Sequence, residues 1–302
     1  MDLATARALS LSIIAKAERN KVFREGWHGA MHAVAIDGWE PISSYHRHCQ
    51  HCLVRHVRVD RGGGDVVEVE QYYHRFVAAM LIDERFDMAL DFEPLLPHDL
   101  RPPGAAKDNE DEGELTAAKR LLRRVKQTSG WIELVVADAL YANGPFFSLA
   151  KKDGDEPLKE ALAIWGNKPA QEIFVDKKAR EQIEFWDCRD ITTLGTYDGP
   201  IRVGVRAHVT DATDPAKPRR TWCMAVIGQA ATRLSPRQVL AIARGRWHIE
   251  NTGFPPVDPV RWHFAHVFVH DGNGIQAPVL AFLRSLQSPD SLHVPPAALL
   301  RP

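Results

Sequence analysis

Two aspartates and one glutamate stand where carboxylates can do chemistry. Asp138 lies in the apolar run "WIELVVADALYA", and Asp37 closes "MHAVAIDG". A carboxylate is costly to bury without a partner, and the carboxyl ends of strands in open α/β sheets are where sites collect. Glu250 lies in "RGRWHIENTGF", four positions after Arg246. On a helix that spacing makes an ordinary ion pair of about 0.2–0.5 kcal/mol, so the glutamate alone decides nothing. Two strand aspartates plus a helix glutamate, however, have the composition of a two-metal phosphoryl-transfer site. Hard oxygen ligands hold Mg²⁺ or Mn²⁺, which activate a water or hydroxyl and stabilise the leaving oxygen.

A second group of ligand-type residues sits in "HRHCQHC". Cys49 and Cys52 have the spacing of one half of a zinc site, with His46, His48, His51 and His56 around them. No second Cys-x-x-C or His pair follows at knuckle distance, and Cys188 and Cys223 stand alone. The expectation is therefore an exposed, His- and Cys-rich hairpin without a complete four-ligand zinc shell. His263, His266 and His270 are spaced as on a helix and read as packing or hydrogen-bonding residues.

The elements that must position these residues follow from pattern. The chain has 302 residues, 45% of them hydrophobic and 25% charged, with a formal charge of -1. That balance suits an ordinary globular protein with no global basic field. A polyanion site would need local clusters such as Arg120, Arg123, Arg124 and Lys126, or Lys217, Arg219 and Arg220. No apolar run reaches membrane-spanning length and no signal-peptide pattern opens the chain. Four cysteines without a disulfide pattern suit a reducing compartment, and the expected location is cytoplasmic.

Leu3, Ala6, Leu9, Ile13 and Ala17 predict an amphipathic N-terminal helix. "MHAVAIDG" reads as a buried strand, and Gly62-Gly63-Gly64 as a hairpin turn, because no Gly-Lys-Ser/Thr follows. "VVEVEQYYHRFVAAMLI" and "FDMALDFEPL" read as partner strands. After a Pro-, Gly- and acid-rich connection, Leu115, Ala118, Leu122 and Val125 mark a second helix. "WIELVVADALYA" is the clearest buried strand, and "NGPFFSLAKK" reads as the helix after it. Short strands are expected in "EIFV", "EFWDCRDITTL", "IRVGVRAHV" and "WCMAVIG", with "TDATDPAKPRR" a solvated loop. Ser235, Pro236 and Gln238 form the start of a capped helix whose stripe is Val239, Ile242, Arg246, Ile249 and Gly253.

Four stretches in this order, "AIDGWEPISSYHRHCQHC", "QYYHRFVAAMLI", "VVADALYANGPFFSLA" and "RGRWHIENTGF", resemble a DDE transposase of the IS4-like type found in bacterial insertion sequences. "RWHFAHVFVHD" adds to the likeness. The resemblance implies an α/β fold: a ribonuclease-H-like mixed sheet flanked by helices, with a β-rich insertion before the last catalytic helix. It implies Asp37 on the first strand, Asp138 on the fourth and Glu250 on a late helix as catalytic metal ligands, with Arg246 contacting DNA phosphate. The implied partner is double-stranded DNA at transposon ends, with a homodimer as assembly. The implied reaction is metal-dependent cleavage and strand transfer.

The expected division is 1–30 as an N-terminal helical segment, 31–165 as the first part of the core and 166–232 as the insertion. Residues 233–288 then complete the core with helices, and 289–302 form a loose tail. The family's signature tyrosine falls at Ala243 and its lysine at Val257, with Arg261 the nearest base. The first match begins close to Met1, which leaves little room for an N-terminal DNA-end-binding segment. Those departures point to a truncated or decayed copy. A non-catalytic DNA-binding remnant, and a metal-dependent nuclease on the same fold, therefore stand as alternatives.

Overall fold

The computed structural model describes residues 3–23, 31–83, 88–101, 111–138, 141, 156–189, 201–214, 216–247 and 249. These fall into two compact units. One runs to Ala137 and takes back Arg246, Trp247 and Ile249; the other comprises the described residues from Asp138 to Gly245.

The first unit contains α1 (Leu3–Arg19), β1 (Ala33–Ser44), β2 (Leu53–Asp60), β3 (Val66–Ile82), β4 (Met88–Pro94), α2 (Glu114–Thr128) and β5 (Leu134–Val136). Its sheet is mixed. The long β3 pairs antiparallel with β1 along one edge; on the other it takes β2 at its start and β4 at its end. β5 joins the free edge of β1 in parallel, giving the order β2-β3-β1-β5 with β4 beside β3. Three antiparallel strands followed by a helix and a strand parallel to the first is the ribonuclease-H-like arrangement expected. β2 is an added arm.

The two halves of β3 differ as their sequence does. Val66–Glu70 alternate exposed and half-buried, whereas Val77–Ile82 are all at most 4% exposed. A strand covered on both faces reads as a continuous apolar run, and one with a wet face alternates. Gly62, Gly63 and Gly64 all have positive φ (100°, 70° and 87°) and turn β2 into β3, as the sequence predicts.

Helix faces departed from expectation. On α1, Leu9 and Ile13 are 56% and 44% exposed, while Ser10 and Ile14 are buried. The reason lies in Arg7, which reaches Asp91 and Glu93 on β4 and thereby fixes the helix's rotation. On α2 the buried residues are Ala117, Ala118, Leu121 and Val125, so the stripe is turned one residue from Leu115 and Leu122. That rotation brings Arg120 to Glu93 and Glu112, and Arg124 to Asp91 and Glu93. Both guanidiniums also bond backbone carbonyls, of Pro94 and Phe92. Two members of the basic cluster read from sequence are thus spent on a buried network joining α1, β4 and α2.

The second unit opens with α3 (Glu156–Trp165). An antiparallel meander follows: β6 (Glu172–Asp176), β7 (Glu181–Asp187), β8 (Ile201–Asp211) and β9 (Arg220–Ile227). Each of these strands overlaps one of the short strands expected before the last helix, β7 over the first part of its stretch. Trp165 on α3 packs with Trp186 and Cys188. Arg206 lies over both rings, 5.2 Å and 4.1 Å from their centroids. The loop cations are paired here too: Lys217 with Asp211, Arg219 with Glu184 and Arg220 with Glu181. A short α4 (Gln229–Arg233) leads to α5 (Pro236–Gly245). At its start the predicted capping box is formed: Ser235 N–H donates to Gln238 Oε1 (2.9 Å), and Gln238 N–H to Ser235 Oγ (3.3 Å).

Among the described residues no helix is long and apolar enough to cross a membrane. The expected helix in "NGPFFSLAKK", the C-terminal tail, and His263, His266 and His270 lie outside the described residues.

Candidate active site

Asp37 is not the last residue of its strand. β1 runs on to Ser44, with its register against β3 shifting between Trp39 and Ile42. The apolar run ends at Asp37 because the strand leaves the two-sided core there, and the sequence alone could not separate that from the strand's end. In the Asp37 carboxylate Oδ1 accepts the N–H of Gly38 (2.8 Å) and Oδ2 accepts Nη1–H of Arg246 (2.8 Å). The pair is nearly buried, with side chains 14% and 13% exposed.

Sequence spacing sets Arg246 one helical turn from Glu250; among the described residues it bonds Asp37, 209 positions away. α5 ends at Gly245, and just beyond it Ile249 N–H bonds the carbonyl of Arg246 at 3.0 Å. The guanidinium also lies 5.6 Å from the Trp247 ring centroid. Glu250 itself lies outside the described residues.

Gly38 shows why glycine follows Asp37. A Cβ there would fall 2.4 Å from Oε2 of Glu114. Glu114, at the first turn of α2, is bonded to Arg75 (2.6 Å) and is 9% exposed on its side chain. Alternation along the strand puts Gly38 toward α2 and Asp37 on the opposite face. Sequence reasoning did not find Glu114 or Arg75, since only the packing of α2 brings them to β1.

β5 is shorter and less covered than its sequence suggests. It has three residues, and Val135 is 39% exposed. Its register with β1 is Ala33–Leu134, Val34–Val135 and Ala35–Val136. On β1, Asp37 lies two residues past the last pair; Asp138 follows the end of β5 by two residues in sequence. The carbonyl of Asp138 accepts the N–H of Tyr141 (3.2 Å), whose side chain is 1% exposed.

The family described as "Transposase DDE domain" matches residues 88–252, more than half of the chain. The chain belongs to that family. The matched stretch contains Asp138, Arg246 and Glu250, while Asp37 precedes it. No curated protein matches the chain. DDE transposases act on DNA with divalent metal, and the donor set fits such an ion: carboxylate oxygens are the ligands Mg²⁺ and Mn²⁺ prefer.

The cysteine segment is where it was expected, on the connection between β1 and β2, yet Cys49 and Cys52 are half-buried rather than exposed. Ser44 pairs with Tyr72 on one edge of β3, and Leu53 pairs with Tyr73 on the other. The connection must therefore cross one face of β3. His48 stacks on Tyr72 there (4.7 Å), and His74, two residues along the same face, is 7% exposed. His74 Nε2 lies 3.5 Å from Cys49 Sγ and 3.4 Å from Cys52 Sγ. Burial pushes the Cys52 thiol up to about 11 and holds the His74 imidazole down to about 4. Sequence reasoning missed His74 because it approaches from a strand, not at knuckle spacing.

Proposed function

We propose that the chain catalyses metal-dependent cleavage and strand transfer of double-stranded DNA at the ends of an IS4-like insertion element. Asp37, Asp138 and Glu250 are its catalytic carboxylates and would hold two Mg²⁺ or Mn²⁺ ions. The observation that carries this reading is the parallel pairing of β1 with β5: Asp37 lies on β1 two residues past the last pair, and Asp138 follows β5 by two residues in sequence. The match of the transposase family across Asp138, Arg246 and Glu250 supports it.

In the reaction proposed, water attacks the scissile phosphorus in line and the 3′ oxygen leaves as a 3′ hydroxyl. That hydroxyl then gives up its proton and attacks a phosphodiester of the target DNA, and the target strand's 3′ oxygen leaves and is protonated to a hydroxyl. Bound metal supplies Lewis-acid stabilisation of the attacking and leaving oxygens. Asp37 is positioned for ligation by Gly38 N–H, which fixes its carboxylate on a rigid strand. Arg246 keeps a guanidinium beside the carboxylate, and its planar fork of donors suits a DNA phosphate. Phosphate contacts mainly set position and affinity, so Arg246 is a DNA-binding and positioning residue.

Ala243 and Val257 stand where the family signature has tyrosine and lysine, and they favour a second reading, a DNA-binding remnant without catalysis. Incubating DNA that carries candidate element ends with the chain in Mg²⁺ and in Mn²⁺, beside an Asp138→Ala control, separates the two. End-specific cleavage lost in the control supports the catalytic reading. Mn²⁺ binding lost in the control but without cleavage supports the remnant, and cleavage without joining supports a nuclease.

A further inference from the structure

The crossing of the β1–β2 connection over β3 brings Cys49, Cys52 and His74 into one group whose ligand atoms all lie within 4.8 Å of one another. The spacings can be compared with those a metal would impose. A tetrahedral ion with Zn–S of about 2.3 Å and Zn–N of about 2.05 Å sets its sulfurs about 3.8 Å apart and each sulfur about 3.6 Å from the nitrogen. In the structure the sulfurs are 3.8 Å apart, and the nitrogen is 3.5 Å and 3.4 Å from them.

Two backbone N–H groups face the sulfurs, and that of Cys49 opposes the burial that raises the Cys52 thiol. His51 N–H points at Cys49 Sγ (3.4 Å) and Cys49 N–H at Cys52 Sγ (3.2 Å). Such donors favour the anionic sulfur, the form that ligates metal. Cys52 N–H bonds the Cys49 carbonyl (3.1 Å), closing the tight turn that lets both sulfurs face one point. His51 Nδ1 is buried with no hydrogen-bond partner among the described residues.

We infer that Cys49, Cys52 and His74 supply three ligands of a zinc ion that fastens the β1–β2 connection onto the face of β3. The ligands come from a turn and from a core strand, so the metal ties the added arm to the sheet that carries Asp37. Thiolate and imidazole donors select zinc over Mg²⁺, whose preferred ligands are carboxylate oxygens. The site stands apart from the DNA reading, and either can fail alone.

The test is the metal content of the full chain purified from zinc-supplemented medium, with Cys49→Ser, Cys52→Ser and His74→Ala variants and His48→Ala and His56→Ala as controls. About one zinc per chain is expected, lost in the three ligand variants and kept in both controls. Because a ligand variant can fail to fold, cobalt is also exchanged into the native chain. A thiolate-to-cobalt charge-transfer band, abolished by alkylating the two cysteines beforehand, reads the ligand set without mutation. A chain that purifies without zinc, takes up none and shows no such band overturns the inference. So does a Cys49–Cys52 disulfide, or zinc retained in all three ligand variants.

Discussion

Replacing Arg246 by methionine should destabilise the fold well beyond the cost of an exposed ion pair. The Arg246–Asp37 contact is 2.8 Å long, and the two side chains are only 13% and 14% exposed. Breaking a fully buried pair costs about 3–5 kcal/mol, against about 0–1 kcal/mol for a surface pair. The remaining exposure lets some water reach Asp37, which places the expected loss at about 2–3 kcal/mol. At about 2–4 °C per kcal/mol for domains of this size, the thermal midpoint falls by about 4–12 °C. Asp37→Asn should cost less, because the amide oxygen can still accept a hydrogen bond from the Arg246 guanidinium. The double variant should lose little more than Arg246→Met alone, giving an interaction energy of about 2 kcal/mol. Saturating Mg²⁺ should recover part of the single-variant loss, since a bound divalent cation compensates the same carboxylate and stabilises by mass action. Urea unfolding of the wild type, both single variants and the double variant measures the cycle. Additive losses, with an interaction below about 0.5 kcal/mol, would refute the reasoning.

Other substitutions probe the frame around this pair. Arg124→Met should cost about 3 kcal/mol in urea unfolding, because Asp91 and Glu93 beside it are only 9% and 11% exposed on their side chains; a loss below about 1 kcal/mol would make the network a surface feature. Gly38→Ala should destabilise by displacing Glu114 from Arg75, about 1–2 kcal/mol, and should become nearly neutral when Glu114 is also alanine. An equal cost in both backgrounds would place the clash elsewhere. Ser235→Ala removes the hydroxyl that caps α5 and should cost about 1 kcal/mol, measured by the same unfolding; no loss would mean the capping box contributes nothing.

The antiparallel strands, the hairpin of Gly62–Gly64, the insertion's meander and the capped last helix were legible because local pattern determines them. The faces of α1 and α2 were not, since Arg7, Arg120 and Arg124 rotate those helices toward acids on β4 and before α2 that no periodicity reveals. The same limit applies to the site. Asp37 and Asp138 could be picked out as strand carboxylates, but the Arg246–Asp37 bond joins residues 209 positions apart. His74 was hidden for a related reason: it reads as one polar residue of an alternating strand until the β1–β2 connection crosses it.

The most direct test of the account is cleavage of element-end DNA in Mn²⁺ by the wild type and by Asp37→Asn, Asp138→Asn and Glu250→Gln. Residues that act as one unit fail together, so each single variant should lose about as much activity as the triple. Asp37 is the sharpest arm, because it precedes the stretch that the transposase family matches. Cleavage by the wild type is expected, abolished by chelator and by each of the three substitutions. Cleavage that survives Asp37→Asn, or that proceeds without divalent metal, would contradict it.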